Sequence, residues 1–176
     1  MQVAIVMTGG TIAKTYDEAH GELALARPVI ERIVGRLRLP DLDIGFKNLF
    51  AKDSRDLTDN DRLLILEVVR HAADARHRVV IVHGTDTLVV TGELLCRSLE
   101  SVAVPVIITG AMRPYEFRDS DALQNITEAL LAVRIAEPGV YVAMHNRLLR
   151  FPGVVKDHAR GTFAKPAQHD GAHDRP

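Results

Sequence analysis

Short strand-length runs alternating with helix-patterned segments constrain this chain more than any other feature. Val3 to Met7, Val79 to His83, Val104 to Thr109 and Val140 to Met144 are compact apolar runs, and Asp43 to Phe50 alternates loosely. The segments between them carry helical spacing. Pro28 to Leu37 opens on a proline suited to a first turn and repeats Val29, Ile33 and Leu37. Thr58 can cap the next helix, with Asp61 three residues on and Leu64, Val68, Ala72 and Ala75 as its apolar stripe. Thr87 to Leu99 reads as a third helix. A fourth starts at Asp119 or Ser120, turns Ala122, Ile126, Ala129 and Val133 inward, and stops at Glu137-Pro138-Gly139. Repeated β-α units imply a mostly parallel sheet with helices on both faces. Right-handed crossovers then favour an α/β, doubly wound, flavodoxin-like order in a single domain over residues 1–165.

Beyond Pro152 the pattern changes to short extended pieces around Val154-Val155-Lys156. Residues 166–176 have no apolar face and are expected to be a disordered tail. Its His169 and His173 match no strong ligand spacing, so no metal is expected. A formal net charge of -1 gives no reason to expect nucleic acid or a membrane as partner. Cys96 is the only cysteine, which excludes an intrachain disulfide; in Leu94-Leu95-Cys96 it reads as a buried structural thiol. The first residues lack a basic region and a cleavage site, and no apolar stretch reaches membrane-spanning length. The expected location is cytoplasmic.

Chemistry gathers where the strands end. Thr8-Gly9-Gly10-Thr11-Ile12-Ala13 follows the first strand, ahead of a polar segment from Lys14 to Glu22 that looks mobile. Alone it is an ordinary turn: neither Gly-x-x-x-x-Gly-Lys nor Gly-x-Gly-x-x-Gly is present to make it a phosphate loop. His83-Gly84-Thr85-Asp86-Thr87 follows the third strand and opens a helix, so unpaired amides point at the cleft. Asp86 or Thr87 could serve only as a cap. The same turn could bind a carboxylate through its amides while Asp86 holds an ammonium, the charge pair of a zwitterionic amino acid. Thr109-Gly110-Ala111-Met112-Arg113-Pro114 brings the Gly110 and Ala111 carbonyls to the same edge. Lys156, one of five lysines, follows Val154-Val155 and reads either as a surface lysine or as a base beside apolar surface. Two hydroxyls, a carboxylate and freed amides in one cleft suit nucleophilic attack on a carbonyl.

Together TGGTIA, DSRDLTDND, VHGTDTLVVTGELL and ITGAMRPYEFRDSDALQNITEAL resemble the L-asparaginase family of bacterial type, over residues 3 to about 156 and in the family's order. The resemblance implies an amidohydrolase that converts L-asparagine to L-aspartate and ammonia through a threonine acyl-enzyme, without metal or cofactor. Thr11 would be the nucleophile, and Tyr16 would close over the substrate and orient the Thr11 hydroxyl. Thr85, Asp86 and Lys156 would form the second catalytic group. Gly10 would line the substrate site, Ser54 and the Gly84 to Thr85 backbone would bind the α-carboxylate, Asp86 would take the α-ammonium, and the Ala111 carbonyl would hold the departing nitrogen. Arg55 would belong to the substrate-binding set, standing where the family commonly places a neutral side chain against the ammonium; a cation there should weaken zwitterion binding unless it turns away or pairs with Asp56.

The family's usual length is about twice this one, and its second domain contributes a carboxylate to a neighbour's ammonium site. The expectation is therefore a short form that associates as a homo-oligomer. Two alternatives stand beside asparagine hydrolysis. One is a non-catalytic amino-acid-binding or regulatory module on the same fold; the other is an amidohydrolase for glutamine or a larger amide.

Overall fold

The computed structural model describes residues 1–25 and 28–166, so the expected tail and its two histidines lie outside the described residues. Five parallel strands form the frame: β1 (Gln2–Gly9), β4 (Asp43–Lys52), β5 (Arg78–Val82), β6 (Pro105–Thr109) and β7 (Gly139–Met144). A sixth, β8 (Arg147–Arg150), runs antiparallel along β7 and makes the sheet order β4-β1-β5-β6-β7-β8. Counted in chain order, the parallel strands lie 2-1-3-4-5, the flavodoxin-like arrangement. The topological switch falls between β1 and β5, where neighbouring crossovers leave in opposite directions and open a crevice.

Alternation along the strands builds two cores. Val3, Ile5 and Met7 face one side with Val80, Val82 and Ile107, under α1 (Val29–Val34) and α4 (Ala122–Ile135). Ala4 and Val6 face the other with Val79, Ile81, Val106 and Ile108, under α2 (Asp59–Asp74) and α3 (Leu88–Ser98). Ala122, Ile126, Ala129 and Val133 of α4 are all buried, as their spacing requires.

Four local expectations need correction. The first helix is a short α1 that ends at Val34, and Arg36 and Leu37 continue it only as tight turns. In α2 the buried face is Arg62, Ile65, Leu66, Val69, Ala72 and Ala73, while Leu64 is 41% exposed and Ala75 is exposed. The run Leu63-Leu64-Ile65-Leu66 supports two helical registers, and the sheet selects the one led by Ile65. The capping box at Thr58 is complete: its hydroxyl accepts from the Asp61 amide, and Asp61 accepts from the Thr58 amide at 2.8 Å. The polar segment after β1 is ordered as a hairpin, β2 (Lys14–Asp17) against β3 (Glu22–Leu25). Cys96 is only half-buried, though burial still pushes its thiol pKa up.

Beyond β8, a second hairpin pairs β9 (Val155–Asp157) with β10 (Thr162–Ala164). Val154 and Phe163 sink into the core and pin it beneath the carboxyl ends of the sheet.

Candidate functional site

Backbone contact between two turns assembles the site. Gly10 sits at φ 86° and ψ 177°, and a Cβ there would lie 2.5 Å from the Cα and N of Gly84. No side chain fits in that gap. The turns after β1 and β5 therefore press backbone to backbone across the switch point, and the residues that follow, Thr11 and Thr85, leave from one place. Gly84 is equally confined on its other side, where a Cβ would meet Ser54 Cβ at 2.6 Å and Oγ at 2.7 Å. Ser54, buried in a 3-10 turn after β4, is thereby the third wall, and its carbonyl accepts from the Thr87 hydroxyl at 2.7 Å. Thr87 precedes α3 but its hydroxyl caps nothing; it ties two loops together.

The β9–β10 hairpin delivers Lys156 into this group. Its Nζ donates to Thr85 Oγ1 at 3.0 Å and to Asp86 Oδ1 at 2.5 Å. Thr85 is buried and accepts from the ammonium, which leaves its own proton free to donate. The Lys156 side chain is 13% exposed, so this is not a solvated surface lysine.

Arg55 neither turns away nor bonds Asp56. Its Nε lies 3.3 Å from Asp53 Oδ1 and 3.5 Å from Asp86 Oδ2. Asp53 also accepts from Lys14 at 3.1 Å. The Arg55 guanidinium, helped by Lys14, holds the Asp53 carboxyl far below the usual carboxylate range despite burial. Asp53, in turn, raises the pKa of Arg55. The family resemblance singled out Arg55 but not Asp53 or Lys14, whose pairing spans 39 residues of sequence from strand to turn.

Ala111 is buried just after β6, and among the described residues no donor occupies its carbonyl. The Gly110 carbonyl is not free, because Asn125 Nδ2 donates to it at 2.9 Å. Asp121 holds this loop. It accepts from the Met112 and Arg113 amides at 3.0 and 3.1 Å, from Asn125 Nδ2 at 2.8 Å and from His145 Nε2 at 2.8 Å. Burial would raise its pKa, but these donors outweigh burial and lower it. A helix start at Asp119 or Ser120 is therefore corrected to Ala122, with the Asp121 side chain turned away from capping and into the loop. His145 reaches Asp121 because His145 and Asn146 both adopt positive φ, 53° and 60°, in the two-residue turn joining β7 to β8.

His83 is fully buried under the β5 turn. Its Nδ1–H donates to the Gly84 carbonyl at 2.8 Å, and the Thr91 hydroxyl reaches Nε2 at 2.9 Å. Desolvation pulls its pKa down to about 4, so the neutral ring braces the turn at neutral pH.

Tyr16 stands apart from this cluster. It is 59% exposed on β2, and its backbone amide donates to Glu116 at 3.0 Å. Among the described residues, no group of three or more His, Cys, Asp or Glu could hold a metal ion.

Residues 2–171 match the family model described as Asparaginase, N-terminal. The chain is 33% identical over 164 residues to an L-asparaginase of Thermococcus kodakarensis, covering 93% of this chain and 50% of that protein. It is 32% identical over 172 residues to L-asparaginase 1 of Escherichia coli K12, with the same two coverages. The solved thermostable L-asparaginase from Thermococcus kodakarensis superposes with a TM-score of 0.82 at 31% identity, over 94% of this chain and 51% of that one. The chain spans about half the length of the curated relatives it matches. The family-model match over residues 2–171 and the superposition place this chain in the asparaginase family, within the N-terminal part of the fold.

Proposed function

We propose that the chain is an amidohydrolase that takes L-asparagine to L-aspartate and ammonia through an ester on Thr11. The observation that carries this reading is the Lys156–Thr85–Asp86 cluster, joined to the Thr11 turn by the Gly10–Gly84 contact. The Thr11 oxygen attacks the carboxamide carbon, and the C–N bond breaks as nitrogen takes up a proton and leaves as ammonia. Water then adds to the ester, and collapse returns the Thr11 hydroxyl and releases the new carboxylate. Thr85, fixed by Lys156, is placed to donate or relay a proton through its own O–H. Amides at the Gly84–Thr85 turn and the buried Ser54 suit a substrate carboxylate, whereas the Gly10 amide is already given to the Lys52 carbonyl at 2.9 Å. The unoccupied Ala111 carbonyl suits the leaving nitrogen. The exposed Tyr16, on a hairpin flanking the Thr11 turn, is assigned to closing over bound substrate.

The same reading takes residues 1–165 as the catalytic domain and adds self-association. Leu131 (58% exposed), Ile135 (71%) and Leu148 (41%) line one open groove on α4 and β8, an apolar patch suited to a second copy. A reducing cytoplasm suits the half-buried free thiol of Cys96. The net charge of -1 is the ground for assigning no nucleic-acid partner. Among the described residues, no helix is long and apolar enough to cross a membrane.

The test is ammonia release from L-asparagine, with L-glutamine in parallel, by the wild type and Thr11→Ala. Release abolished by the substitution supports the reading; equal release by both contradicts the role of Thr11. No release from any amide by the wild type leaves the non-catalytic binding module.

A further inference from the structure

Arg55 has no task in the chemistry above, yet it occupies the polar end of the cleft. A free amino acid presents an ammonium beside its α-carboxylate, and Asp86 is the carboxylate placed to receive it. Both Asp86 oxygens already face cations: Oδ1 bonds Lys156 at 2.5 Å, and Oδ2 lies 3.5 Å from Arg55 Nε. Behind Arg55, Asp53 bridges it to Lys14 at 3.3 and 3.1 Å. In the string Lys14–Asp53–Arg55–Asp86–Lys156 every carboxylate is already engaged by two cations, and Asp56 adds a further negative charge near Arg55.

An incoming ammonium must displace Arg55 from Asp86 and then lie against the displaced guanidinium. Arginine cannot shed its charge to relieve that repulsion. A ligand without an ammonium leaves the Arg55–Asp86 pair intact.

We propose that Arg55 makes this site select carboxamides that carry a carboxylate but no α-ammonium, that is, ω-monoamides of simple dicarboxylic acids. That the ligand is an amide rests on the amidohydrolase reading; the selection by charge rests on the ion pairs alone. Arg55 is 70% exposed, so the preference is that of a solvent-screened charge, about fivefold to tenfold, and it shrinks as salt is raised.

The experiment separates charge selection from turnover. Calorimetric binding of succinate and L-aspartate, and kcat/KM for succinamate and L-asparagine, are measured on the whole chain for wild type, Arg55→Gln and Arg55→Lys. The expected result is succinate and succinamate favoured about fivefold or more by the wild type, the preference kept by Arg55→Lys and lost or reversed in Arg55→Gln. Succinate favoured without hydrolysis of either amide upholds the selection and removes the amidohydrolase reading. Equal or tighter binding of L-aspartate by the wild type, an unchanged ranking in Arg55→Gln, or no binding of either diacid overturns the proposal.

Discussion

Asp121→Asn is the sharpest single perturbation of the site's framework. The carboxylate is 15% exposed and receives four donors: two backbone amides, the Asn125 side chain and His145. An asparagine keeps the shape but supplies one oxygen. With that oxygen facing the Met112 and Arg113 amides, its NH2 faces Asn125 Nδ2 and His145 Nε2. His145 can adapt by moving its proton to Nδ1, where the Thr162 hydroxyl lies at 3.0 Å and can accept. Asn125 cannot adapt: rotating its amide would turn its oxygen toward the Gly110 carbonyl, and its present oxygen already accepts from the His145 amide at 3.1 Å. One charge-assisted bond is therefore exchanged for a donor facing a donor, a loss of about 3 kcal/mol. Urea unfolding should show it as a lower midpoint at unchanged slope. The loop also carries the Ala111 carbonyl, so kcat should fall more than KM rises. The stability gap should close in acid, because the Asp121 pKa is lowered on folding and its contribution, full above about pH 4, is lost as pH falls through the folded value. A destabilisation below about 0.5 kcal/mol, the scale of an ordinary surface change, would refute the reasoning.

Three further expectations follow from single contacts. Gly84→Ala should lower stability by about 1–3 kcal/mol, because the new Cβ meets Ser54 Cβ at 2.6 Å; adding Ser54→Gly should restore stability but not ligand affinity, as measured by urea unfolding and calorimetry. The folded pKa of His83, about 4 against 6.5, makes stability rise with pH between those values, by about 3 kcal/mol in all, while Asp53, Asp61 and Asp121 act in the same direction only below about pH 4. Thr58→Ala should cost about 1 kcal/mol through the lost capping box, read as a drop in melting temperature without change in kcat.

The strand order was legible because β1, β5, β6 and β7 are compact apolar runs, three of them ended by a glycine-bearing turn, while β4 showed only as loose alternation. The turns were legible for the same reason: glycine marks where backbones touch, as the Gly10–Gly84 contact demonstrates. Strand β8 was not legible, since Arg147-Leu148-Leu149-Arg150 is an edge strand with one partner and little apolar signal. The hairpin after β1 was hidden because the polar residues of Lys14 to Glu22 pair through backbone and carry no apolar period. Within the site, Thr11, Thr85 and Asp86 announce themselves by motif. Asp53, Asp121, Asn125 and His145 do not, because each acts on a loop distant in sequence, and their identities alone read as surface polar residues. Arg55 stands out by its charge, but its partners depend on the geometry that brings both Asp53 and Asp86 to its Nε.

The account stands on Thr11 and the Lys156–Thr85–Asp86 cluster acting as one machine. The direct measurement is ammonia release from the better of L-asparagine and succinamate by Thr11→Ala, Lys156→Met and the double variant, each checked for folding. The account predicts a loss of about 10⁴-fold in each single variant and little further loss in the double, as for residues that work as a unit. Losses that multiply in the double variant, or turnover that survives Thr11→Ala, would contradict it.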